Sequence, residues 1–591
     1  MASAKRSRSI IQAAVISGRV FFELTVHESP LWRHLSLPMA TVHLPKWTKR
    51  VVTELGGRDP LGLSRVSFAI TDYLLRGIIT TTSRARYYSF YPWALWHVEQ
   101  TEEPKRYAEF AAAFRRREAF LALATLQHNP DSASVVGADA VRPRLGKYRD
   151  TGEVDTNFAV LPSNVLGGYG QYYGGSLYAL GLTHRTEDGV DRAAPGRGEA
   201  LAKAFAYSVA QTQYCRQAHF QERVIPFEIL KKSAERFSLD SLGEERAVEE
   251  RELLENLFFS WDRSELGDTD LLRRHTLGLI LHTVAEYGKA GFKPTSDSTG
   301  VDHYLVYPPY YYGVLWRGDD PALSYQPPAA LAACYGFWQQ FCAHEYLTQA
   351  LENLLYCTLE VLNLQPSGMA LHDVCASVTG HKFGTTLIDV FGAGSCPSAL
   401  LAALGIVAAP SEDQCRAARA DIGASSDQSE WALVDRDGKP DEVAAAAVGL
   451  LAVLYLKWRN ARNEFARYIG TRAGSNLWTG LVLPALDEWL RPDLDWQSAL
   501  ASLIEPFVLD QHDRVMYEKG RLESCWLHRL DGKIHKDQDY QPVFRSSRHW
   551  NCLRILRDIG LLEFGADGEV SITSDGRQAL GRILKSDGTR K

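Results

Sequence analysis

The chain has 591 residues, of which 45% are hydrophobic and 11% aromatic, and its formal net charge at pH 7 is -6. This composition excludes an intrinsically disordered protein, and the length predicts roughly three to five domains. The negative charge argues against a protein that coats nucleic acid non-specifically, so any nucleic-acid contact must be confined to local basic patches.

The cysteines and the apolar runs limit the cellular setting. The nine cysteines are odd in number and form neither a CxxC pair nor a Cys/His spacing typical of zinc, which disfavours a disulfide framework and a structural metal. The longest apolar runs, 399–410 and 444–456, are too short to cross a bilayer. We therefore expect a cytoplasmic protein without a membrane partner, and we assign it no metal and no cofactor.

Residues 1–38 form a basic N-terminal extension, with five Lys or Arg residues against Glu23 and Glu28. Glu23 interrupts the apolar stretch, and no clean hydrophobic region with a small-residue cleavage site follows, so a targeting signal is disfavoured. Because Met39 comes directly after Pro38, we interpret the extension as a start-site artefact and expect the native chain to open at Met39.

An N-terminal domain is predicted over 39–190, and its main feature is an Arg/aromatic motif. Ser83 is the expected N-cap of a helix with Arg84 and Arg86 in its first turns, followed by an aromatic helix broken or kinked at Pro92. Basic residues interleaved with aromatic residues can bind single-stranded nucleic acid, which makes the two arginines candidate contacts. The alternative, which the helical spacing favours, is that the aromatic run is core.

Two short motifs resemble a known group of sequences. The first runs from Asp59 to Trp96 and contains Thr-x-x-x-Arg-Ala-Arg-Tyr-Tyr-x-Phe-Tyr-x-Trp, and the second is Gly-Gly-Tyr-Gly-Gln-Tyr-Tyr at 167–173. Both are similar to uncharacterised bacterial proteins encoded near mobile elements and phage-defence genes. The resemblance covers about one tenth of the chain and implies a defence role without supplying an active site.

Helices are predicted to dominate the middle of the chain. The Gly- and Tyr-rich segment 164–182 predicts a tightly turned connection, and the charged, glycine-containing segment 185–198 predicts a linker. A helical domain is then predicted over 199–366. Its helices are expected at 201–213, 242–261, 269–287 and 329–362.

A further helical domain with a glycine-containing turn is predicted over 367–500. Residues 387–391, 392–394 and 398–404 could be the strand, turn and helix of a dinucleotide-binding fold. However, Pro397 replaces the third glycine of that motif and no second strand of the unit is evident, so a nucleotide site is disfavoured.

No catalytic signature is found, and whether the chain is an enzyme stays open. His372, Cys375 and His381 have the residue types of a nucleophilic Cys-His pair, because a thiol needs a nearby base or cation to become a thiolate. A buried structural cysteine beside surface histidines explains the same residues better.

Two acidic segments were weighed as metal-dependent sites. A helix would spread Asp510, His512 and Asp513 around its axis and would not gather them at one point. The acids and the lysine of 434–439 could serve a nuclease, but the Asp-Gly pair in that stretch explains them as a surface turn.

The C-terminal domain, 501–591, is predicted to contain a winged helix over 545–584. Apolar residues at spacings of three predict a helix that Ser546 or Ser547 would cap and that Gly560 would end in a left-handed conformation. An Asp-Gly pair between two apolar runs then predicts a hairpin, which would be the wing, and a closing helix follows.

The first helix of this module is basic. Residues 541–560 hold four Arg and one Asp, a local charge of +3 in an acidic chain. Arginine suits phosphate oxygens and guanine, and asparagine suits adenine, so DNA contact is predicted. The alternative is a dimerisation or docking module with solvated arginines. The candidate contacts here are Arg545, Arg548, Asn551, Arg554 and Arg557.

The sequence therefore predicts a mainly α, multidomain protein with small β elements and a C-terminal winged-helix domain. The leading function is a non-enzymatic, nucleic-acid-associated component of a bacterial anti-phage defence or mobile-element system, which binds DNA and acts with partner subunits from the same operon. The alternatives are a hydrolase or nuclease whose site assembles from sequence-distant residues, and a purely structural scaffold.

Overall fold

Alanine, leucine and aromatic residues at helical spacing make most of the described chain helical, as predicted. The structure, a computed structural model, describes residues 59–587 except 105, 188, 263–265, 298–299, 319, 436–437, 461–478 and 521–524, together with two strands near the N-terminus. Those strands, β1 (Gln12–Ile16) and β2 (Arg19–Glu23), pair antiparallel. The start-site hypothesis for 1–38 concerns residues that otherwise lie outside the described ranges.

The α-helices are as follows, in chain order. They are α1 (Ser64–Leu74), α2 (Tyr87–Glu102), α3 (Tyr107–His128), α4 (Ala138–Thr151), α5 (Gly174–Ala179), α6 (Arg197–Val209), α7 (Gln213–Arg216), α8 (Phe227–Phe237), α9 (Val248–Phe259), α10 (Asp268–Lys289), α11 (Gly300–Leu305), α12 (Ala332–Leu362), α13 (Leu371–Val378), α14 (His381–Phe391), α15 (Pro397–Ala403), α16 (Glu412–Ala420), α17 (Glu430–Val434), α18 (Pro440–Trp458), α19 (Thr479–Val482), α20 (Trp496–Ile504), α21 (Asp510–Lys519), α22 (His549–Asp558) and α23 (Ser574–Asp587).

The described strands form two-stranded antiparallel sheets between these helices. Beyond β1 and β2, they are β3 (Glu153–Asp155) with β6 (Val224–Pro226), β4 (Thr183–Arg185) with β5 (Asp191–Ala193), β7 (Val314–Arg317) with β8 (Asp320–Ser324), β9 (Leu527–Leu530) with β10 (Lys533–Lys536), and β11 (Leu562–Phe564) with β12 (Val570–Ile572). The predicted linker at 185–198 therefore contains a hairpin, and β5 packs against α2.

The aromatic run of α2 lies in the core, where it packs against α6 and α3. Tyr87, Tyr91 and Trp93 are each at most 1% exposed, and the rings of Tyr87 and Tyr91 stack with centroids 5.1 Å apart. The alternative interpretation of this run as core is therefore confirmed. The helix begins at Tyr87 and not after Ser83, and it continues through Pro92, so the predicted cap and break do not occur.

The Gly- and Tyr-rich segment allows the backbone to approach a buried carboxylate on α3. Gly167 has φ +52° and leaves no room for a Cβ beside Glu118, and the Gly168 N–H donates to Glu118 Oε1 at 2.8 Å. The Tyr91 hydroxyl donates to the same oxygen at 2.9 Å. Burial raises the pKa of Glu118 to about 7, and these hydrogen bonds oppose the shift. The predicted close approach is thus observed.

The predicted helices of the central region are confirmed as α6, α9, α10 and α12, with ends that differ by a few residues. The long helix α12 packs along the alanine-rich α18, in which the alanines 444–447 are buried. The strand predicted at 387–391 is wrong: these residues end α14, and Gly392 with φ +74° stops that helix. The phosphate-cradle interpretation fails with the strand.

The C-terminal segment has the predicted order of helix, hairpin and helix in α22, β11–β12 and α23. Gly560 follows α22 with φ +81°, and Gly568 closes the hairpin turn with φ +77°. The hairpin packs on residues 293–296: the Ser296 N–H donates to the Gly568 carbonyl at 2.7 Å, and the Val570 N–H donates to the Pro294 carbonyl at 2.9 Å.

Residues 56–591 form one compact unit, and residues 1–55 form a second. The predicted domain boundaries near 190–199, 366 and 500 therefore lie inside the larger unit. Within the described ranges, no helix combines the length and the apolar composition needed to cross a membrane.

Candidate nucleic-acid interface

The seven predicted nucleic-acid contacts belong to two neighbouring regions, the loop before α2 and the start of the C-terminal helix α22. Helix α22 packs against α10 and α11. Six of the seven side chains are buried, which places most of the basic charge of 541–560 inside the protein. Arg557 is the exception, with 34% of its side chain exposed.

Arg545 forms a bidentate ion pair with a glutamate of α12. Its Nη1 and Nη2 atoms donate to Glu352 at 2.7 and 2.6 Å, and its backbone N–H donates to Glu345 at 2.7 Å. Asp59 lies 3.7 Å from the same guanidinium. Burial raises the pKa of Glu345 to about 7, and the charge of Arg545 lowers it. A phosphate could reach Arg545 only by displacing these carboxylates.

Arg548 and Asn551 hold the loop that follows α1. The Arg548 Nη1 donates to the Ile78 carbonyl at 2.9 Å and lies 2.7 Å from Asp72. The Asn551 side-chain amide donates to the Thr80 carbonyl at 3.0 Å. Both side chains are at most 3% exposed. In this structure neither is available to a base edge, which corrects the expectation that α22 presents them to a DNA groove.

Arg86 is likewise internal. It is 1% exposed, and its Nε and Nη2 donate to Glu250 at 3.1 and 3.2 Å. It also donates to the Arg236 carbonyl at 2.8 Å and to the Ser208 hydroxyl at 3.0 Å. These contacts join α2 to α6, α8 and α9, so Arg86 has a structural role here and forms no part of an exposed basic groove.

Arg84 connects the N-terminal loop to the end of α22. Its Nε donates to Asp558 at 2.8 Å and its Nη2 to Asp240 at 2.5 Å, while Nη1 donates to the Ser132 hydroxyl at 3.1 Å. The guanidinium is fully buried. Arg84 can act on a bound anion only through its charge, because its donors are already used.

Arg554 is the predicted contact without an acidic partner. Its guanidinium lies over the Trp550 ring, 4.9 Å from the centroid, and its buried Nε has no hydrogen-bond partner among the described residues. Burial, followed by the charge of Arg84, lowers the pKa of Arg554 to about 10, whereas Asp558 opposes the shift. A buried guanidinium without a counter-ion is energetically costly, so the site favours an added anion.

Arg557 lies at the exposed edge of the same cluster, over the Phe564 ring at 5.3 Å. It is 3.7 Å from Asp240, an aspartate that the sequence did not indicate. We define the arginine cluster by its three cations and two anions, whose summed formal charge is +1. Its members are Arg84, Arg554, Arg557, Asp240 and Asp558.

Trp550 was assigned only to the apolar stripe of the predicted helix. The spacing of four between Trp550 and Arg554 was the signal for their contact, because such side chains are neighbours on a helix. Asp240 had no signal, since it follows α8 and lies far from α22 in sequence.

The other weighed sites do not show reactive geometry. His372, Cys375 and His381 line one open cavity of about 720 Å³, but Cys375 is 1% exposed and burial raises its pKa to about 11, so the thiol stays protonated. Asp510 and Asp513 both pair with Arg529. Part of 434–439 lies outside the described residues.

Among the residues that the structure describes, no group of three or more His, Cys, Asp or Glu side chains is arranged to hold a metal ion. Compared with protein-family models, curated proteins and solved structures, the chain matches none of them. The geometry of the arginine cluster is therefore the main argument for a functional site.

Proposed function

We propose that this chain is a non-enzymatic, nucleic-acid-associated component of a bacterial anti-phage defence or mobile-element system, acting with partner subunits. The carrying observation is Arg554, a mostly buried arginine that has no acidic partner and lies beside two other arginines. The defence setting and the partner subunits are inferred from the sequence resemblance alone.

The proposed contact uses the helix–hairpin–helix as a winged helix, but through phosphates and not through bases. Arg548 and Asn551 are occupied by internal carbonyls, which leaves Arg554 and Arg557 for an incoming anion. Phosphate contacts position a protein on nucleic acid and convey no sequence information. We therefore expect weak sequence preference and a strong dependence of affinity on salt.

The test replaces both available arginines, Arg554→Glu with Arg557→Glu, and measures duplex DNA binding by fluorescence anisotropy at several salt concentrations. Each lost phosphate contact should reduce the slope of log K against log salt by about one, so the double variant should lose about two. Arg416→Glu is the matched control, since it makes the same charge change at an exposed site on α16.

Equal slopes for the double variant and Arg416→Glu would show that the arginine cluster does not bind DNA. Absence of DNA binding by the unmodified protein at low salt would overturn the proposal as a whole. Metal-dependent cleavage of plasmid DNA by the purified protein would contradict its non-enzymatic part and favour the nuclease alternative.

A further inference from the structure

A small cavity with aromatic walls lies between α11, the turn that follows it, β7 and α17. It has a volume of about 60 Å³. Five aromatic side chains line it, and with Pro308 and Ala424 they give it an almost wholly apolar surface. The aromatic lining residues are His303, Tyr307, Tyr312, Trp316 and Trp431.

The rings are inclined to one another, as the walls of a cage are. His303 meets Trp316 at 71° with centroids 6.0 Å apart, and it meets Trp431 at 61° and 5.4 Å. Tyr307 meets Trp431 at 57° and 5.6 Å. Phe544 stacks on Trp431, 6.0 Å away and nearly parallel, and supports this wall. Packing therefore holds the ring faces in place before any ligand arrives.

The charges around the cavity favour a cation. None of the seven lining residues is a lysine or an arginine. Burial lowers the pKa of His303, so the imidazole is neutral at pH 7, and the carboxylate of Asp435 acts on it from the exposed end of α17. Glu430, which accepts a hydrogen bond from Tyr311, is already paired with Lys457 at 2.9 Å. Asp435 is thus the nearby carboxylate that an incoming cation can use.

One polar atom of the cage has no partner. The Tyr307 side chain is 2% exposed, and its buried hydroxyl forms no hydrogen bond with the described residues. A buried hydroxyl without a partner is unfavourable, and it marks the place where a ligand atom would be accommodated.

We propose that this aromatic cavity binds a methylated ammonium group. Such a cation is attracted by the negative faces of aromatic rings and carries few N–H donors, so it does not need the acceptors that the walls lack. A cavity of 60 Å³ has room for about four to six water-sized spheres, which matches the heavy atoms of a trimethylammonium head. This inference goes beyond the proposed function and is independent of it.

The test compares two ligands of the same shape by tryptophan fluorescence and NMR titration of the full chain. Choline carries the trimethylammonium group, and 3,3-dimethyl-1-butanol replaces it with a neutral tert-butyl group. We expect choline to bind at least about tenfold more tightly, because only the cation gains from the rings and from Asp435. Equal affinities for the two ligands, or no binding of choline at millimolar concentration, would overturn the proposal.

Two variants locate the binding. Asp435→Asn changes an exposed residue and should weaken choline severalfold without changing the binding of the neutral ligand. Asp413→Asn, at an exposed position on α16, is the matched control and should have no effect. Trp316→Leu should abolish choline binding, with circular dichroism as the check on folding. If Asp435→Asn and Trp316→Leu both bind choline like the unmodified protein, the site lies elsewhere and the inference is wrong.

A peptide bearing trimethyllysine distinguishes the two sources of this chemistry. Tighter binding of the peptide than of choline would identify a modified protein as the ligand. Tighter binding of choline would identify a free small molecule.

Discussion

At the scale of single residues, buried arginines join segments that are far apart in the sequence. A guanidinium has five donors in a fixed plane, so one side chain can satisfy several carbonyls and carboxylates at once. Arg86 joins four helices in this way, and Arg545 connects the region before α22 to α12. Clustered arginines in a sequence therefore indicate internal ion pairs as readily as a basic surface.

The ion pair of Arg545 yields a prediction about stability. Arg545→Met leaves the buried Glu352 without its partner, and we expect a loss of about 3–5 kcal/mol in the free energy of unfolding. The double variant Arg545→Met with Glu352→Gln should recover part of that loss, because it removes the unpaired charge. The exposed Arg491→Met should change stability by less than about 0.5 kcal/mol. Urea denaturation measures all three, and equal losses for Arg545→Met and Arg491→Met would contradict the prediction.

Glu118 makes stability depend on pH. Its pKa rises from 4.5 in the unfolded chain to about 7 in the folded protein, mainly through burial. The folded state therefore binds the proton more tightly, so its contribution is complete below pH 4.5 and is lost as the pH rises through about 7. The loss amounts to about 3 kcal/mol.

Glu118→Gln removes the titrating proton, so its unfolding free energy should fall less between pH 5 and pH 8 than that of the unmodified protein. Urea denaturation at both values measures the difference. The exposed Glu109→Gln on the same helix should leave the pH dependence unchanged. A pH dependence in Glu118→Gln equal to that of the unmodified protein would contradict the burial argument.

At the scale of elements, local sequence signals predicted most helices and the C-terminal hairpin. The glycines at 560 and 568 and the periodic apolar residues of α10 and α12 specify their structure locally. The end of α14 was mistaken for a strand because a short apolar run before a glycine fits either element. The hairpin within 185–198 was missed because its glycines and charges are equally typical of a linker.

Packing between elements makes one glycine of α18 sensitive to substitution. A Cβ at Gly449 would lie 2.5 Å from a ring carbon of Phe391, so Gly449→Ala should destabilise the protein by about 1–3 kcal/mol. Gly336 in α12 has open space around it, and Gly336→Ala should be neutral or stabilise by up to about 1 kcal/mol. Thermal unfolding compares the two, and a similar loss in both would contradict this explanation.

At the scale of the whole molecule, the accessible part of the site could not be predicted from the sequence. Which arginines remain available depends on residues hundreds of positions away: Asp558 is taken by Arg84, and Arg548 is taken by Asp72 and the Ile78 carbonyl. Composition correctly indicated a local excess of charge, but burial decides what that charge contacts. The unpaired Arg554 follows from this long-range packing.

The same contacts predict that α22 unfolds with the rest of the larger unit. Its residues pair with the loop before α2, and the residues before it pair with α12, so it has no independent core. In native-state hydrogen exchange, the buried amides of α22 should open with the same free energy as those of α12. Separate, earlier exchange of α22 would show that the C-terminal segment is an independently folding module.

The bond between Arg84 and Asp558 also sets a clock for biosynthesis. These residues are 474 positions apart, so at roughly 5–20 residues per second the ribosome needs roughly 25–95 s to deliver the aspartate after the arginine. During that interval the guanidinium has no Asp558 to pair with. The loop before α2 therefore reaches its final conformation only after nearly the entire polypeptide has been translated.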